Sequence, residues 1–258
     1  MSDTLDGTGA LSPTPPLSPR RLRRTGRTGW RGLRLVTLLA AALCLVTAGA
    51  ATAAPAAPTA TPQIVDSTRS GGYSVALTFD DGPNPADTPR LLEILRQNNV
   101  TAVFCLWGTY AQQYPYIVQQ IVADGHVLCN HTMAHEDLGY WSPDQIRQNL
   151  EQTNAAIQSA VPGAEIPYFR APNGNWGQSP QVAADLGMQP LGWRLAINDW
   201  EPATSDQLLD RLRQGVTPGA VVLLHDGGGD RSATVDAVSR YIPEIRSQGW
   251  TLDLPALP

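Results

Sequence analysis

Val75-Ala76-Leu77-Thr78-Phe79-Asp80-Asp81-Gly82-Pro83 places two adjacent carboxylates at the end of an apolar run. Apolar residues followed by a Gly-Pro pair are typical of a strand that delivers its last side chains into a loop. Neighbouring carboxylates repel each other, and a nearby positive charge is needed to keep both ionised. A divalent metal ion would supply that charge. The alternative is a solvent-exposed turn, since Asp-Asp-Gly-Pro is also favourable turn chemistry.

The first 53 residues have the order of a secretory signal peptide. Seven arginines precede an apolar run at 36–50, and Ala51-Thr52-Ala53 offers a small-residue cleavage site. The run is shorter than the ~20 apolar residues of a membrane span. We therefore expect a secreted, extracellular protein, with an uncleaved anchor as the alternative and the export route, general secretory or twin-arginine, open. Residues 54–72 are rich in Ala, Pro and Thr and predict a flexible lead-in, which leaves 73–258 as one domain.

The charge balance after residue 53 is strongly acidic. The remaining chain has 11 Arg, no Lys and 21 Asp plus Glu, so its net charge is about −10. Nucleic-acid binders usually carry a basic stripe. The composition therefore argues against a nucleic-acid partner, and we expect a monomer with no stable membrane insertion after cleavage.

Strand and helix patterns alternate along the domain. After the first strand, the sequence predicts strands at 101–106, 126–130, 168–171, 188–193, 220–225 and 250–254. Helical spacing of apolar residues predicts helices at 87–98, 111–124, 143–159, 178–186, 206–215 and 232–248. This alternation is typical of parallel strands joined by crossover helices. Seven such strands favour an α/β fold, a deformed and incomplete (β/α) barrel.

Polar residues follow these strands where each strand ends. In a (β/α) barrel that rim is where active sites are built. His131 and His135 are four residues apart, a spacing that on one helical turn places both rings on the same side. With Asp81 they provide two nitrogens and one carboxylate, the ligand set of a catalytic zinc site with an open position. Zinc is the predicted ion, and cobalt or another transition ion suits the same ligands.

The same rim supplies candidates for proton transfer. Asp80 is the candidate general base, and Arg170 is a natural partner that would keep its carboxylate ionised. His225 ends a buried strand and is the candidate general acid. Its partner is either Asp199 or Asp226, and the sequence leaves both open. Apolar walls for a small acyl group and a sugar face are predicted from Trp176, Trp200 and Leu223.

Two cysteines remain after the signal peptide. Cys105 and Cys129 lie late in two consecutive predicted strands. In an exported protein they favour a disulfide between neighbouring strands. Two buried free thiols are the alternative.

Five ordered motifs resemble those of the polysaccharide deacetylases, also called the NodB homology domain or carbohydrate esterase family 4. These motifs are Thr78–Pro83, His131–His135, Arg170–Gly174, Asp199-Trp200 and Leu223–Asp226. The resemblance implies a deformed (β/α) barrel and metal-dependent removal of acetyl groups from N-acetylglucosamine polymers or acetylated xylan. It also implies the roles of the matching residues: Asp80 as base, Asp81, His131 and His135 as metal ligands, Arg170 positioning the base, Asp199 tuning the acid, and His225 as acid. Leu223 would line the acetyl-methyl pocket, and the backbone N–H of Asn173 would stabilise the oxyanion.

Two positions depart from the family pattern. The third motif has Asn173 where an aromatic residue is common, and Ala196 stands where the fourth motif often begins with Asp. Because the catalytic positions are retained, these departures concern substrate preference. The expected function is deacetylation of chitooligosaccharide or peptidoglycan. The alternatives are an acetylxylan esterase and a non-catalytic wall-binding module.

Overall fold

A computed structural model describes residues 62–257 of the chain. The predicted signal peptide at 1–53 and the first part of the predicted lead-in lie outside the described residues. Within residues 62–257, no helix is both long enough and apolar enough to cross a membrane.

Eight strands and seven α-helices alternate along the described residues. The strands are β1 Ser74–Gly82, β2 Val103–Leu106, β3 Val127–Asn130, β4 Tyr168–Phe169, β5 Gln189–Pro190, β6 Leu195–Ala196, β7 Ala220–His225 and β8 Thr251–Leu252. The helices are α1 Thr88–Gln97, α2 Gly108–Gln113, α3 Pro115–Ala123, α4 Pro143–Ala160, α5 Ser179–Asp185, α6 Ser205–Gly215 and α7 Ser232–Ser247. Capping boxes begin α4 at Ser142 and α6 at Thr204.

The strands form one parallel sheet in the order β5-β4-β3-β2-β1-β7-β6. Strand β8 pairs with the first two residues of β1. Strands β5 and β6 end the row and are not paired with each other among the described residues. The sheet is therefore the predicted curled, incomplete (β/α) barrel, and the fold prediction is confirmed.

The two faces of β1 and β7 pack against different surroundings. Successive residues of a strand point to opposite faces of the sheet. Val75, Leu77 and Phe79 belong to the large apolar cluster that also contains the helices, whereas Ala76 belongs to a smaller cluster on the inner face. By the same alternation, Asp80 points to the inner face, where its register partner on β7 is His225.

The disulfide candidates also lie in this inner row. Cys105 is the register partner of Asp80 on β2, and Cys129 is the partner of Cys105 on β3. The two cysteines form a disulfide with a Cα–Cα distance of 4.2 Å. The covalent bond therefore joins neighbouring strands in the row that contains the candidate base and acid.

Three features differ from the sequence-based expectation. Residues 65–69, assigned above to a flexible lead-in, pair with the barrel: Val65 bridges Leu191, and Thr68 bridges Pro255. The helix predicted at 111–124 is two helices, because Pro115 cannot continue the hydrogen bonding of α2 and instead begins α3. Strand β6 was not predicted, since two half-buried residues carry no recognisable pattern.

Candidate active site

The predicted site residues converge at the carboxyl ends of β1, β3, β4 and β7. Asp80 and Asp81 are near the end of β1, and His131 directly follows β3. A β-bulge lies at Asp81, because Asp80 pairs with Cys105 while Gly82 pairs with the very next residue of β2. Bulges re-aim side chains next to active sites. Here the bulge explains how both carboxylates face the cleft, although neighbours in a regular strand point apart.

Asp81, His131 and His135 form a compact set of donor atoms. One ligand atom from each lies within 4.8 Å of the other two. Asp81 Oδ1 is 3.4 Å from Nε2 of His131 and 3.8 Å from Nε2 of His135. His131 Nδ1 is 2.8 Å from the carbonyl oxygen of Arg170, which leaves Nε2 for a ligand. Two imidazole nitrogens and a carboxylate oxygen fit a zinc-like ion.

The pKa shifts of Asp81 and His135 suit metal binding, whereas burial lowers the pKa of His131 but the charge of Asp80 and the hydrogen bond and charge of Asp81 outweigh burial and raise it. Burial raises the pKa of the Asp81 carboxyl, but the hydrogen bond and charge of His131 and the charges of His225 and His135 lower it to about 2. Burial lowers the pKa of His135, as does the charge of His131. A metal ligand must be a carboxylate or a neutral imidazole. Asp81 and His135 are therefore held in their ligating forms near neutral pH.

The histidine loop reaches its geometry without the predicted helical turn. Residues 131–135 are a turn rather than a helix, and Thr132 and His135 have positive φ values of 65° and 61°. Asp81 and Asn173 are also left-handed, with φ values of 70° and 57°. Such backbone strain clusters at functional sites. The two imidazoles thus meet through strained loop residues rather than through helical spacing.

Asp80 forms a buried ion pair with Arg170. Arg170 Nη1 donates to Asp80 Oδ1 at 2.7 Å, and the Arg170 side chain is fully buried. Its Nε and Nη2 donate to the carbonyl oxygens of Leu191 and Gly192, both at 3.0 Å. The guanidinium is therefore fixed at three points. It orients one oxygen of Asp80 and leaves the other, Oδ2, 3.6 Å from His131 Nε2.

His225 is paired with Asp199. His225 Nδ1 is 2.7 Å from Asp199 Oδ1, and the backbone N–H of His225 donates to Asp199 Oδ2 at 2.9 Å. Thr234 also donates to Oδ2, at 3.0 Å. Burial lowers the pKa of His225, but the hydrogen bond and charge of Asp199 outweigh burial and raise it. Nδ1 is occupied by this pair, so Nε2 is the nitrogen available to a substrate.

Asp226, the other partner considered from the sequence, is turned away from His225. Its Oδ2 accepts a hydrogen bond from Thr88 at 2.5 Å. Complete burial raises the pKa of the Asp226 carboxyl to about 7, and the charges of Asp81 and Asp80 act in the same direction. Below about pH 7, Asp226 is therefore mainly protonated and adds little negative charge beside Asp80 and Asp81.

Comparisons with known proteins show which family the chain belongs to. The sequence model of the polysaccharide deacetylase family matches residues 68–191. A chitooligosaccharide deacetylase of Sinorhizobium fredii is 35% identical over an alignment of 199 residues, and the match covers 73% of this chain and 93% of that protein. The chain belongs to the polysaccharide deacetylase family.

Two further proteins are similar to this member of the polysaccharide deacetylase family over a comparable share of its length. A peptidoglycan-N-acetylglucosamine deacetylase of Bacillus cereus is 34% identical over 68% of this chain and 83% of its own length. The crystal structure of a peptidoglycan N-acetylglucosamine deacetylase in complex with 4-naphthalen-1-yl-N-oxidanyl-benzamide superposes with a TM-score of 0.69. That structure is 30% identical and covers 73% of this chain and 89% of its own. The likeness therefore spans the whole barrel.

The polysaccharide deacetylase site opens into a cleft of about 700 Å³. Its lining includes the metal-ligand set and both proton-transfer candidates, and it also includes Asn173, Trp200 and Leu223 as predicted. Trp176 is absent from this lining. It packs edge-on against Phe169 of the core, with ring centroids 6.0 Å apart. The prediction of Trp176 as a cleft wall is therefore wrong, because its ring is used to cover the sheet.

Four cleft residues were not found from the sequence: Trp107, Trp193, Gly228 and Arg231. Trp193 takes the place predicted for Trp176, and the Arg170 guanidinium lies 5.6 Å from the centre of its ring. Trp107 directly follows β2, a neighbour of β1 in the sheet. Its position at a strand end is a weak signal, because a tryptophan after a strand is equally consistent with core packing.

Proposed function

We propose that this protein is a metal-dependent hydrolase that removes acetyl groups from polysaccharide containing N-acetylglucosamine, either chitooligosaccharide or peptidoglycan. One observation carries the proposal. Asp80 and His225, opposite each other on β1 and β7, flank the donor set of Asp81, His131 and His135. Membership of the family and relatives named as deacetylases of such glycans support the substrate class.

The donor set would hold a divalent ion, with zinc as the first choice and cobalt as an alternative. Such an ion would supply Lewis acidity, polarising the acetyl carbonyl and lowering the pKa of water. The residues around it divide the remaining work between a base and an acid.

Asp80 acts as the general base. Its carboxylate takes a proton from the water that attacks the acetyl carbon, while the hydrogen bond from Arg170 holds the carboxylate in position. The new carbon–oxygen bond converts the carbonyl oxygen into an oxyanion. The backbone N–H of Asn173, on the cleft wall, is assigned to donate to that oxyanion.

His225 acts as the general acid. Its Nε2 proton passes to the amide nitrogen as the carbon–nitrogen bond breaks, which releases acetate and leaves a free amine on the sugar. Asp199 holds Nδ1 and raises the pKa of His225 against the effect of burial, which favours the protonated form that an acid needs. The walls formed by Leu223, Trp193 and Trp200 suit a methyl group and a sugar face.

We place this reaction outside the cell. The support is the sequence pattern of residues 1–53, with basic residues, an apolar run and a small-residue cleavage site. A protein of net charge about −10 after cleavage suits a soluble exported enzyme acting on glycans.

Acetate release is the experiment that tests the proposal. The protein is assayed on chitooligosaccharide, peptidoglycan and acetylated xylan before chelation, after chelation, and after zinc or cobalt is restored. We expect release from the N-acetylated glycans, loss on chelation and recovery with metal. Release from acetylated xylan alone would replace this function with the acetylxylan esterase. Release that is indifferent to metal removal would refute the mechanism, and no release from any glycan would favour a wall-binding module.

A further inference from the structure

Trp107 is hydrogen-bonded to the candidate metal-ligating carboxylate. Its indole Nε1 donates to Oδ1 of Asp81 at 2.9 Å. The same oxygen is the one that lies within 4 Å of the Nε2 atoms of His131 and His135. We propose that Trp107 is a positioning residue that orients the Asp81 carboxylate for metal binding, an inference that rests on the proposed metal-dependent function.

The geometry leaves room for both the indole and an ion at one oxygen. A carboxylate oxygen has two lone-pair sites, so it accepts one hydrogen bond and keeps a second site for a metal. The other oxygen of Asp81 lies beside Gly228, where a side chain would not fit, since a Cβ added at Gly228 would lie 2.5 Å from Oδ2. The carboxylate thus lies between the indole N–H and Gly228, and the indole N–H is its hydrogen-bond donor at Oδ1.

Trp107 is itself fixed by contacts on both of its sides. Its backbone N–H donates to the carbonyl oxygen of Gly82 at 3.0 Å, so backbone and side chain both contact the end of β1. The indole stacks on Tyr110 with ring centroids 4.8 Å apart and an interplanar angle of 17°. The ring of His135 lies 5.5 Å away at 40°. Because these contacts fix the indole, the positions of β2 and α2 determine where its N–H group lies relative to the three candidate metal ligands.

The neighbouring backbone links the same loop to the histidines. Gly108 and Thr109 donate their N–H groups to the carbonyl oxygens of Thr132 and Met133, at 3.0 and 2.9 Å. The segment after β2 therefore contacts both loops that carry donors to the ion. Hydrogen bonds to ligating side chains typically contribute 10–100-fold in metal affinity. We expect a contribution in that range from the Trp107 N–H.

Removal of the donor with retention of the ring tests this inference. Zinc is titrated into chelator-stripped protein, and its dissociation constant is measured against a competing indicator for the parent, Trp107→Phe and the control Trp250→Phe. Trp250 packs against Tyr73 outside the cleft. We expect the dissociation constant to rise 10–100-fold in Trp107→Phe and to stay within twofold in Trp250→Phe. The visible spectrum of bound cobalt should change in the Trp107 variant alone.

A second replacement isolates the N–H group from the size of the ring. Benzothienylalanine at position 107 substitutes sulfur for the indole N–H in a ring of nearly the same shape, so its folding is expected to match the parent by circular dichroism. Parent-like zinc affinity and cobalt spectra in both replacements would overturn the assignment of Trp107. A parent that binds no zinc would overturn the proposed function as well, whereas a parent that binds zinc beside unaffected variants would overturn this inference alone.

Discussion

Asp80 and Asp81 are adjacent in sequence but have different surroundings. The Asp80 carboxylate is 2.7 Å from the Arg170 guanidinium, whereas Asp81 faces two imidazoles and an indole N–H. The bulge and the left-handed backbone at Asp81 separate the two environments. Because the two carboxylates have different partners, one can act as a proton acceptor while its neighbour binds a metal ion.

Substitutions at Asp80 and His135 should separate chemistry from metal binding. Asp80→Asn removes the proton acceptor but leaves the three donor side chains, so we expect turnover to fall by about 10²–10⁴-fold with zinc still bound. His135→Ala removes a ligand, and we expect loss of both zinc and turnover. Acetate release and zinc content of purified variants are the measurements. Near-parent turnover in Asp80→Asn would contradict its assignment as base.

The pH dependence of turnover should be set on its alkaline side by His225. An acid catalyst must carry its proton, so activity falls as pH rises through the His225 pKa. Because Asp199 raises that pKa against the opposing effect of burial, Asp199→Asn should lower it and shift the alkaline limb to lower pH, by about one unit or more. The measurement is a pH profile of acetate release at saturating zinc. An alkaline limb at the parent position in Asp199→Asn would show that Asp199 does not tune the acid.

At the scale of secondary structure, one row of residues on the inner face of β3, β2, β1 and β7 contains both the disulfide and the proposed catalytic residues. Its register partners are Cys129, Cys105, Asp80 and His225, one from each strand. Only the first two are covalently joined, and the proposed base and acid lie on the next two strands. The disulfide therefore joins the sheet beside the proposed catalytic pair.

Loss of this disulfide should lower stability more than activity. The bond closes a loop with a sequence separation of 24 residues, and loops of this size stabilise folded proteins by about 3 kcal/mol. We expect Cys105→Ala/Cys129→Ala to lose about that much unfolding free energy in denaturant titrations, with acetate release near the parent level at low temperature. Reductant should destabilise the parent and leave the double variant unchanged. Equal unfolding midpoints for parent and variant would show that the bond does not stabilise the domain.

Across the whole molecule, the sequence predicted what depends on strong local patterns. The buried runs of β1 and β7 and the long amphipathic α4 and α7 identify themselves by length and apolar spacing. Strand β6 has two residues and is defined by its neighbour β7, so no local pattern could locate it. Trp107 and Trp193 needed the three-dimensional arrangement, because a tryptophan after a strand is equally consistent with core packing.

The segment at 65–69 is another feature that local sequence patterns could not predict. Its composition resembles a linker, yet Val65 is buried and hydrogen-bonds with Pro190 and Gly192. Asp66 and Thr68 pair with residues at the start of β7, so the segment connects opposite sides of the incomplete barrel. Its partners are tertiary and distant in sequence. For that reason, composition alone misassigned it.

Removal of this segment should lower both the stability of the domain and the turnover that depends on Asp80. The carbonyl oxygens of Leu191 and Gly192 bind Arg170, which binds Asp80, and Val65 holds the backbone on either side of Leu191. A variant beginning at Tyr73 loses burial of Val65, which contributes about 2 kcal/mol. For a domain of this size that corresponds to a fall of about 4–8 °C in Tm. Displacement of Arg170 should also lower turnover by about tenfold.

Thermal unfolding, acetate release and zinc titration distinguish these effects in variants beginning at Pro62 and at Tyr73. Zinc affinity should change less than turnover, because Asp81, His131 and His135 have no hydrogen bond to residues 65–69 in the described part of the chain. Val65→Ala in the longer variant is the matched control, since it reduces burial but retains the backbone hydrogen bonds that hold Leu191 and Gly192. It should lower Tm while keeping turnover. If the shorter variant matches the longer one in both Tm and turnover, the segment supports neither the barrel nor the Arg170–Asp80 pair.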